Sequence, residues 1–158
     1  MILNPDVIVG ENSIQIMYDY LKDRPDIGIL GPQVLNFNET YQQNYFSFYR
    51  PSTIIARRTF FSKITFLKKS LANFLMIGSN PEKIQISDWI MGSAMMLSRV
   101  NHNIVGPMDE RFFMYFEDVD WCRRFWEAGF NVMYVPSATC YHYHKRASKG
   151  RGGIVELI

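Results

Sequence analysis

The chain has 158 residues, with 17 Lys and Arg against 15 Asp and Glu for a formal charge of +2, and 47% of it is hydrophobic. This composition excludes a disordered tail, a collagen-like repeat and a coiled coil, and the length suits one domain with its own core. Two cysteines, Cys122 and Cys140, are too few and too far apart for a disulfide framework or a four-cysteine zinc site, so reduced thiols are expected.

The opening MILNPDVIVG reads as a strand ended by the turn at Pro5-Asp6. Its apolar pair runs so directly into that turn that the opening is expected to be a cut into a longer domain, and it has no basic region of a signal peptide. A helix follows, with Ile14, Met17, Tyr18 and Leu21 at i, i+3, i+4 and i+7, capped by Asn12 or Ser13 and stopped by Pro25. Residues 27–35 read as a strand bent at Gly31-Pro32. The first 35 residues thus predict strand–helix–strand, the unit of an α/β sheet. Residues 36–52, polar and aromatic together, predict a long loop or irregular hairpin, and loops of that length are often functional.

Between Glu39 and Glu82 there is no acid, but there are six bases: Arg50, Arg57, Arg58, Lys63, Lys68 and Lys69. Within 53–77, Ile54, Phe61, Ile64, Leu67, Leu71, Phe74 and Leu75 give a helical stripe. Two readings stand side by side. A basic amphipathic helix can lie on an anionic membrane. A surface helix can equally pack one face on the core and solvate the other. The bases match no nucleic-acid recognition module, so no nucleic-acid partner is expected.

Residues 83–99 predict two short strands around Asp88 to Gly92, with Met95, Met96 and Leu97 in the core. No stretch reaches the ~18 unbroken apolar residues of a membrane span; the longest, 89–97, is broken by Gly92 and Ser93. Then the sign of the charge flips. Five of the 15 acids fall between Asp109 and Asp120, interleaved with Phe112, Phe113, Tyr115 and Phe116. A helix follows, with Val119, Cys122, Phe125 and Trp126 inward, Arg123 and Arg124 outward, and Gly129 at its end. Residues 132–135 and 138–142 read as two last strands split by Pro136, and 146–158 as a basic flexible tail.

Acids at a helix start are often only solvated partners of the helix dipole. Those at Glu117-Asp118-Val119-Asp120 are set among large aromatics, where burial raises a carboxylate pKa and suits it to general-base work. His142 and His144, two apart in a strand, share one side and could supply a metal ligand without by themselves specifying a site. Asp6 is an ordinary turn residue taken alone. It ends a strand, however, and ligands of open α/β sheets bind at strand C-terminal ends.

In this order the segments resemble motifs of family 2 glycosyltransferases, in the rhamnosyltransferase-like branch. Leu3-Asn4-Pro5-Asp6 resembles the family's metal-binding turn. The segment from Asp88 through Trp89 and Gly92 to Ala94 resembles its acceptor-side segment. The string from Gly106 to Arg124, with Asp109, Glu110, Glu117, Asp118 and Asp120, resembles its acidic-aromatic signature. Tyr134 to His142 resembles its last strand and histidine.

The resemblance implies a partial GT-A fold: a mixed α/β sheet flanked by helices, with the N-terminal nucleotide-binding half missing. The GT-A portion would run over 1–145. The resemblance also implies Asp118 as catalytic base, Asn4 and Asp6 on the cofactor turn, and Asp6 with His142 as ligands of Mg2+ or Mn2+. It puts Asp88, Trp89, Gly92, Asp109, Glu110 and Glu117 on the acceptor side. Asn4 stands where the family's motif begins with an Asp, which leaves fewer charged ligands. The implied reaction moves a sugar, rhamnose being the branch's common cargo, from a nucleotide-diphosphate donor to a glycan or lipid-linked acceptor in surface polysaccharide synthesis, with inversion. The expected setting is cytoplasmic, with peripheral contact at the inner face of the plasma membrane through 53–77. The alternative is a non-catalytic remnant or partner subunit that binds membrane or glycan.

Overall fold

A computed structural model describes residues 1–58 and 65–142. The 146–158 segment, His144, and Phe61 and Ile64 of the 53–77 stripe lie outside those residues. The architecture is a mixed α/β sheet flanked by helices, as the resemblance implied. Its centre is the longest strand, β9 (Asn131–His142), with β3 (Ile27–Leu35) parallel on one side. The other side is shared by two antiparallel strands, β6 (Gln85–Ile86) along the first half of β9 and β2 (Val7–Val9) along the second. A further strand, β4 (Tyr41–Gln42), pairs antiparallel with the end of β3.

The strand–helix–strand order at the start holds, but the strands are not neighbours. β9 lies between β2 and β3, parallel to β3 and antiparallel to β2. The physical reason lies in composition. Ile27, Ile29, Leu30 and Val34 of β3 and Val132, Met133, Tyr134 and Val135 of β9 are all buried, and strands covered on both faces belong in the middle of a sheet. Pro136 does not split β9. Pro32 aligns with Val135 and Gln33 with Thr139, so Pro136, Ser137 and Ala138 bulge out of the parallel register, where a missing N–H costs no ladder bond.

Each face of the sheet carries a helix. Helix α1 (Ser13–Leu21) puts Met17 and Leu21 against Ile27, Leu30, Met133 and Val135. Ile14 and Tyr18, expected inward, are 52% and 56% exposed. Ser13 sets this roll: its buried hydroxyl donates to the Thr139 carbonyl at 2.9 Å and accepts the Thr139 N–H at 2.8 Å. Asn12 precedes the helix in the left-handed region and makes no side-chain cap.

Helix α5 (Glu117–Glu127) covers the other face. Trp121, Cys122 and Phe125 join Ile29, Val132 and Tyr134 there. Trp121 is buried on that face, and Val119 and Trp126, expected inward, are half-buried and pack against the same cluster. Arg124 is not simply outward either. It pairs with Asp120 at 2.9 Å and donates to the carbonyls of Val105 and Pro107, pinning the turn after α4 (Arg99–Val105). Both thiols are free and buried.

The basic stretch forms two helices rather than one, α2 (Pro51–Arg58) and α3 (Thr65–Phe74). They lock together through Ser70, whose hydroxyl lies 2.7 Å from that of Ser52 and 3.0 Å from that of Thr53. Leu67 and Phe74 face inward as expected, whereas Ile54 is half exposed. Two ribbons complete the fold: β5 (Tyr45–Phe46) with β7 (Trp89–Ile90), and β1 (Ile2–Leu3) with β8 (Ala94–Met95). No helix among the described residues is long and apolar enough to cross a membrane.

Candidate active site

The site is built around the first turn of α5. Asp118, Trp121, Cys122 and Phe125 fall at i, i+3, i+4 and i+7, so the periodicity that buries two aromatic rings and a thiol buries the carboxylate too. Asp118 is 9% exposed. Its Oδ2 accepts the Gly92 N–H at 2.9 Å and its Oδ1 accepts the Val119 N–H at 2.9 Å. Burial pushes its carboxyl above the ordinary range; the Glu117 charge adds to this, while the N–H donors of Gly92 and Val119 hold it back. The turn that delivers α5 is strained. Tyr115 and Phe116 both have positive φ, 68° and 70°, at a cost of about 1–3 kcal/mol each. Glu117 Oε2 is buried with no hydrogen-bond partner among the described residues.

From Asp118 the backbone leads straight to the first turn of the chain. Gly92 donates to Asp118, and the carbonyl of the next residue, Ser93, accepts the Asn4 N–H at 3.0 Å. The β1–β8 ribbon fixes that meeting by pairing Leu3 with Ala94. The Asn4 carbonyl then accepts the Val7 N–H at 3.1 Å, which closes the turn over Pro5 and Asp6. Opposite Val7 in the β2–β9 register stands His142, and its Nε2 lies 3.3 Å from Asp6 Oδ1. Its Nδ1 lies 3.2 Å from Gln42 Oε1, an acceptor only, so Nδ1 carries the hydrogen and Nε2 is directed at Asp6.

An imidazole oriented through its far nitrogen beside a carboxylate oxygen is a fitting pair of ligands for a divalent cation. The pair fits Mg2+ or Mn2+ completed by oxygens of another molecule. Among the described residues no group of three His, Cys, Asp or Glu side chains forms around them. The Asn4 side chain makes no hydrogen bond among the described residues; Asn4 contributes through its backbone.

The remaining candidates divide. Gly92 lies against Asp118, since a Cβ there would sit 3.4 Å from Asp118 Cβ. Asp88 is half-buried, its Oδ2 accepting the Phe48 N–H at 2.7 Å. Trp89 is 4% exposed, stacks on Phe46 and donates its indole N–H to the Ser47 carbonyl, so it forms an inner wall. Asp109 is held by the forked guanidinium of Arg111, which takes its carboxyl down to about 2. Glu110 is exposed on the same turn. No described contact brings Asp109 or Glu110 to Asp118.

Sequence reasoning missed Gln42, Ser93 and Tyr49. Tyr49 lies 5.4 Å from the Phe116 ring and bonds Arg57 through its hydroxyl. Burial pushes that hydroxyl up, Arg57 opposes this, and the Asp118 charge adds to the rise. Its signal was present only as one aromatic among many in 36–52.

No family model matches the sequence. Curated relatives do. The chain is 32% identical over 155 residues to the N-acetylglucosaminyl-diphospho-decaprenol L-rhamnosyltransferase of Mycobacterium tuberculosis, found alike in strains CDC 1551 and H37Rv, covering 96% of this chain and 48% of the relative. It is 25% identical over 151 residues to rhamnosyltransferase WbbL of Escherichia coli K12, covering 90% of this chain and 51% of the relative. The chain therefore spans about half the length of these relatives. The resemblance carried by the motifs is thus joined by a similarity in sequence to rhamnosyltransferases that runs over nearly all of this chain's own length.

Proposed function

We propose that this chain carries the base and the cation turn of a glycosyltransferase that moves a sugar from a nucleotide-diphosphate donor to a glycan or lipid-linked acceptor. Rhamnose is the favoured sugar, because both named relatives are rhamnosyltransferases. The observation that carries the reading is the backbone link from Asp118 through Gly92 and Ser93 to Asn4, two residues from Asp6.

In this reading Asp118 takes the proton of an acceptor hydroxyl as its oxygen bonds to the anomeric carbon. The bond from that carbon to the diphosphate breaks on the opposite side, which inverts the centre. Glu117, with an oxygen still lacking a partner, accepts a second acceptor hydroxyl and orients the sugar. Asp6 and His142 would hold Mg2+ or Mn2+, which when bound offsets charge on the leaving diphosphate. Gly92 holds the base in place and lets the acceptor approach it closely.

The test is initial-rate transfer from a nucleoside diphosphate-rhamnose, comparing Asp118→Asn with wild type. Retained transfer in the variant would remove Asp118 from the role. A rival reading, a non-catalytic membrane-binding piece, draws on the outward faces of α2 and α3, where Ile54, Ile55 and Phe66 are exposed beside Lys68 and Lys69. Flotation with anionic vesicles separates it: strong flotation together with no transfer activity favours the rival.

A further inference from the structure

Two parts of the chain set where Asp118 sits. Gly92 grips its carboxylate through a backbone N–H, and the turn ending at Phe116 delivers the helix that carries it. That turn has little support of its own. Phe112, Phe113, Met114 and Tyr115 are all exposed, Phe113 at 96%, while Tyr115 and Phe116 both sit in the left-handed region. Backbone strain of this kind persists only where the surroundings over-determine it. The hold has to come from outside the turn.

Tyr49 supplies it. Its ring meets the Phe116 ring at 5.4 Å and 51°. The same ring stacks on Trp89 at 6.0 Å and 23°, three residues before Gly92. One half-buried side chain therefore touches both the residue that precedes α5 and the ribbon that leads to Gly92. Ring pairs of this sort fix mutual orientation as well as burying area.

Tyr49 is itself fixed from the basic helices. Phe74 of α3 packs 4.5 Å from its ring. Arg57 of α2 donates to its hydroxyl at 2.9 Å, and the guanidinium carbon lies 5.6 Å from the centre of the Tyr49 ring and 5.3 Å from that of Phe74. A guanidinium held against two ring faces ties them together. Burial raises the Tyr49 hydroxyl, against the pull of Arg57, so the residue stays a neutral phenol and brings no negative charge toward Asp118.

We propose that Tyr49, fixed by Arg57, is a positioning residue for Asp118: by bracing Phe116 and Trp89 it keeps the strained start of α5 and the Gly92 N–H where the carboxylate needs them. It touches no reacting atom in this role. Its effect on rate rests on the sugar-transfer reading; its hold on the carboxylate does not.

The test is amide hydrogen exchange of the whole chain, read residue by residue by nuclear magnetic resonance. Tyr49→Ala should speed exchange at the Gly92 and Val119 N–H groups about tenfold, while Val132 and Tyr134 in β9 stay within about twofold. Tyr49→Phe keeps the ring and should leave Gly92 and Val119 within about twofold of wild type. In transfer assays Tyr49→Ala should lower kcat about 10- to 100-fold with KM within about twofold, as misplacement of a reacting group does. Arg57→Ala should move both readouts the same way by about threefold, and it carries the test should Tyr49→Ala not fold. Unchanged exchange at Gly92 and Val119 overturns the proposal. So does a rise shared equally by Val132 and Tyr134, which would make Tyr49 a support of the fold at large. A change confined to KM overturns it too, since the ring would then be touching substrate. If Asp118→Asn retains transfer, the sugar-transfer reading falls, and the exchange result still decides what Tyr49 does.

Discussion

The backbone N–H of Asn4 meets the carbonyl of Ser93 at 3.0 Å, one residue from the Gly92 N–H held by Asp118. Two consecutive residues of the chain's middle thus touch the first turn with one group and the buried carboxylate with the other.

On the proposed reading, replacing Asp118 should be costly to rate and mild to fold. Asp118→Asn is expected to lower transfer by ~100- to 10,000-fold, the usual worth of a positioned base. In wild type the acidic limb of the kcat/KM profile should lie above the ordinary carboxylate range, because burial raises this carboxyl. A limb at ordinary Asp values would contradict the assignment.

The same shift makes a stability prediction with a definite sign. Asp118 binds its proton more tightly folded than unfolded. Its contribution therefore favours the fold at low pH and fades as pH rises from the ordinary carboxylate range through the raised value. Denaturant melts of wild type and Asp118→Asn from pH 4 to 7 should show the wild-type advantage shrinking as pH rises. An advantage that grows with pH would reverse the sign and refute the burial argument.

Asp6→Asn and His142→Gln should each weaken Mn2+ binding, read by electron paramagnetic resonance, by about tenfold or more. Asp6 is exposed, so its variant should keep its stability within about 0.5 kcal/mol. Gln42→Leu, which removes the partner of Nδ1, should weaken Mn2+ binding as well. Unchanged affinity in all three variants would show that the pair is not a cation site.

Two positions test the frame. At Gly28 an added Cβ would come 2.4 Å from the Phe125 ring and 2.8 Å from Phe130 Cβ. Phe125 is fully buried and cannot swing away, so Gly28→Ala should destabilise by about 1–3 kcal/mol. Ser13→Ala leaves the Thr139 N–H and carbonyl without their hydroxyl partner and should cost about 1–3 kcal/mol. Thermal melts of both variants check this, and neutral behaviour in either would mean the sheet shifts more readily than its packing implies.

What the sequence by itself determined is local. The apolar runs marked strands where β3 and β9 lie, with β9 read as two, the i, i+3, i+4 spacing marked α1, and the resemblance of the acidic-aromatic string to a family motif pointed to Asp118. These signals are periodic, so they survive without knowledge of neighbours. Only the tertiary structure decided which side of α1 turns inward, since that depends on a bond from Ser13 to a strand far along the chain. It alone inserted β9 between β2 and β3, and it alone set Gln42 behind His142 and Tyr49 beside Phe116. Such contacts join residues distant in sequence through single hydrogen bonds and ring edges. They leave no period to read, and they exist only once the chain has closed on itself.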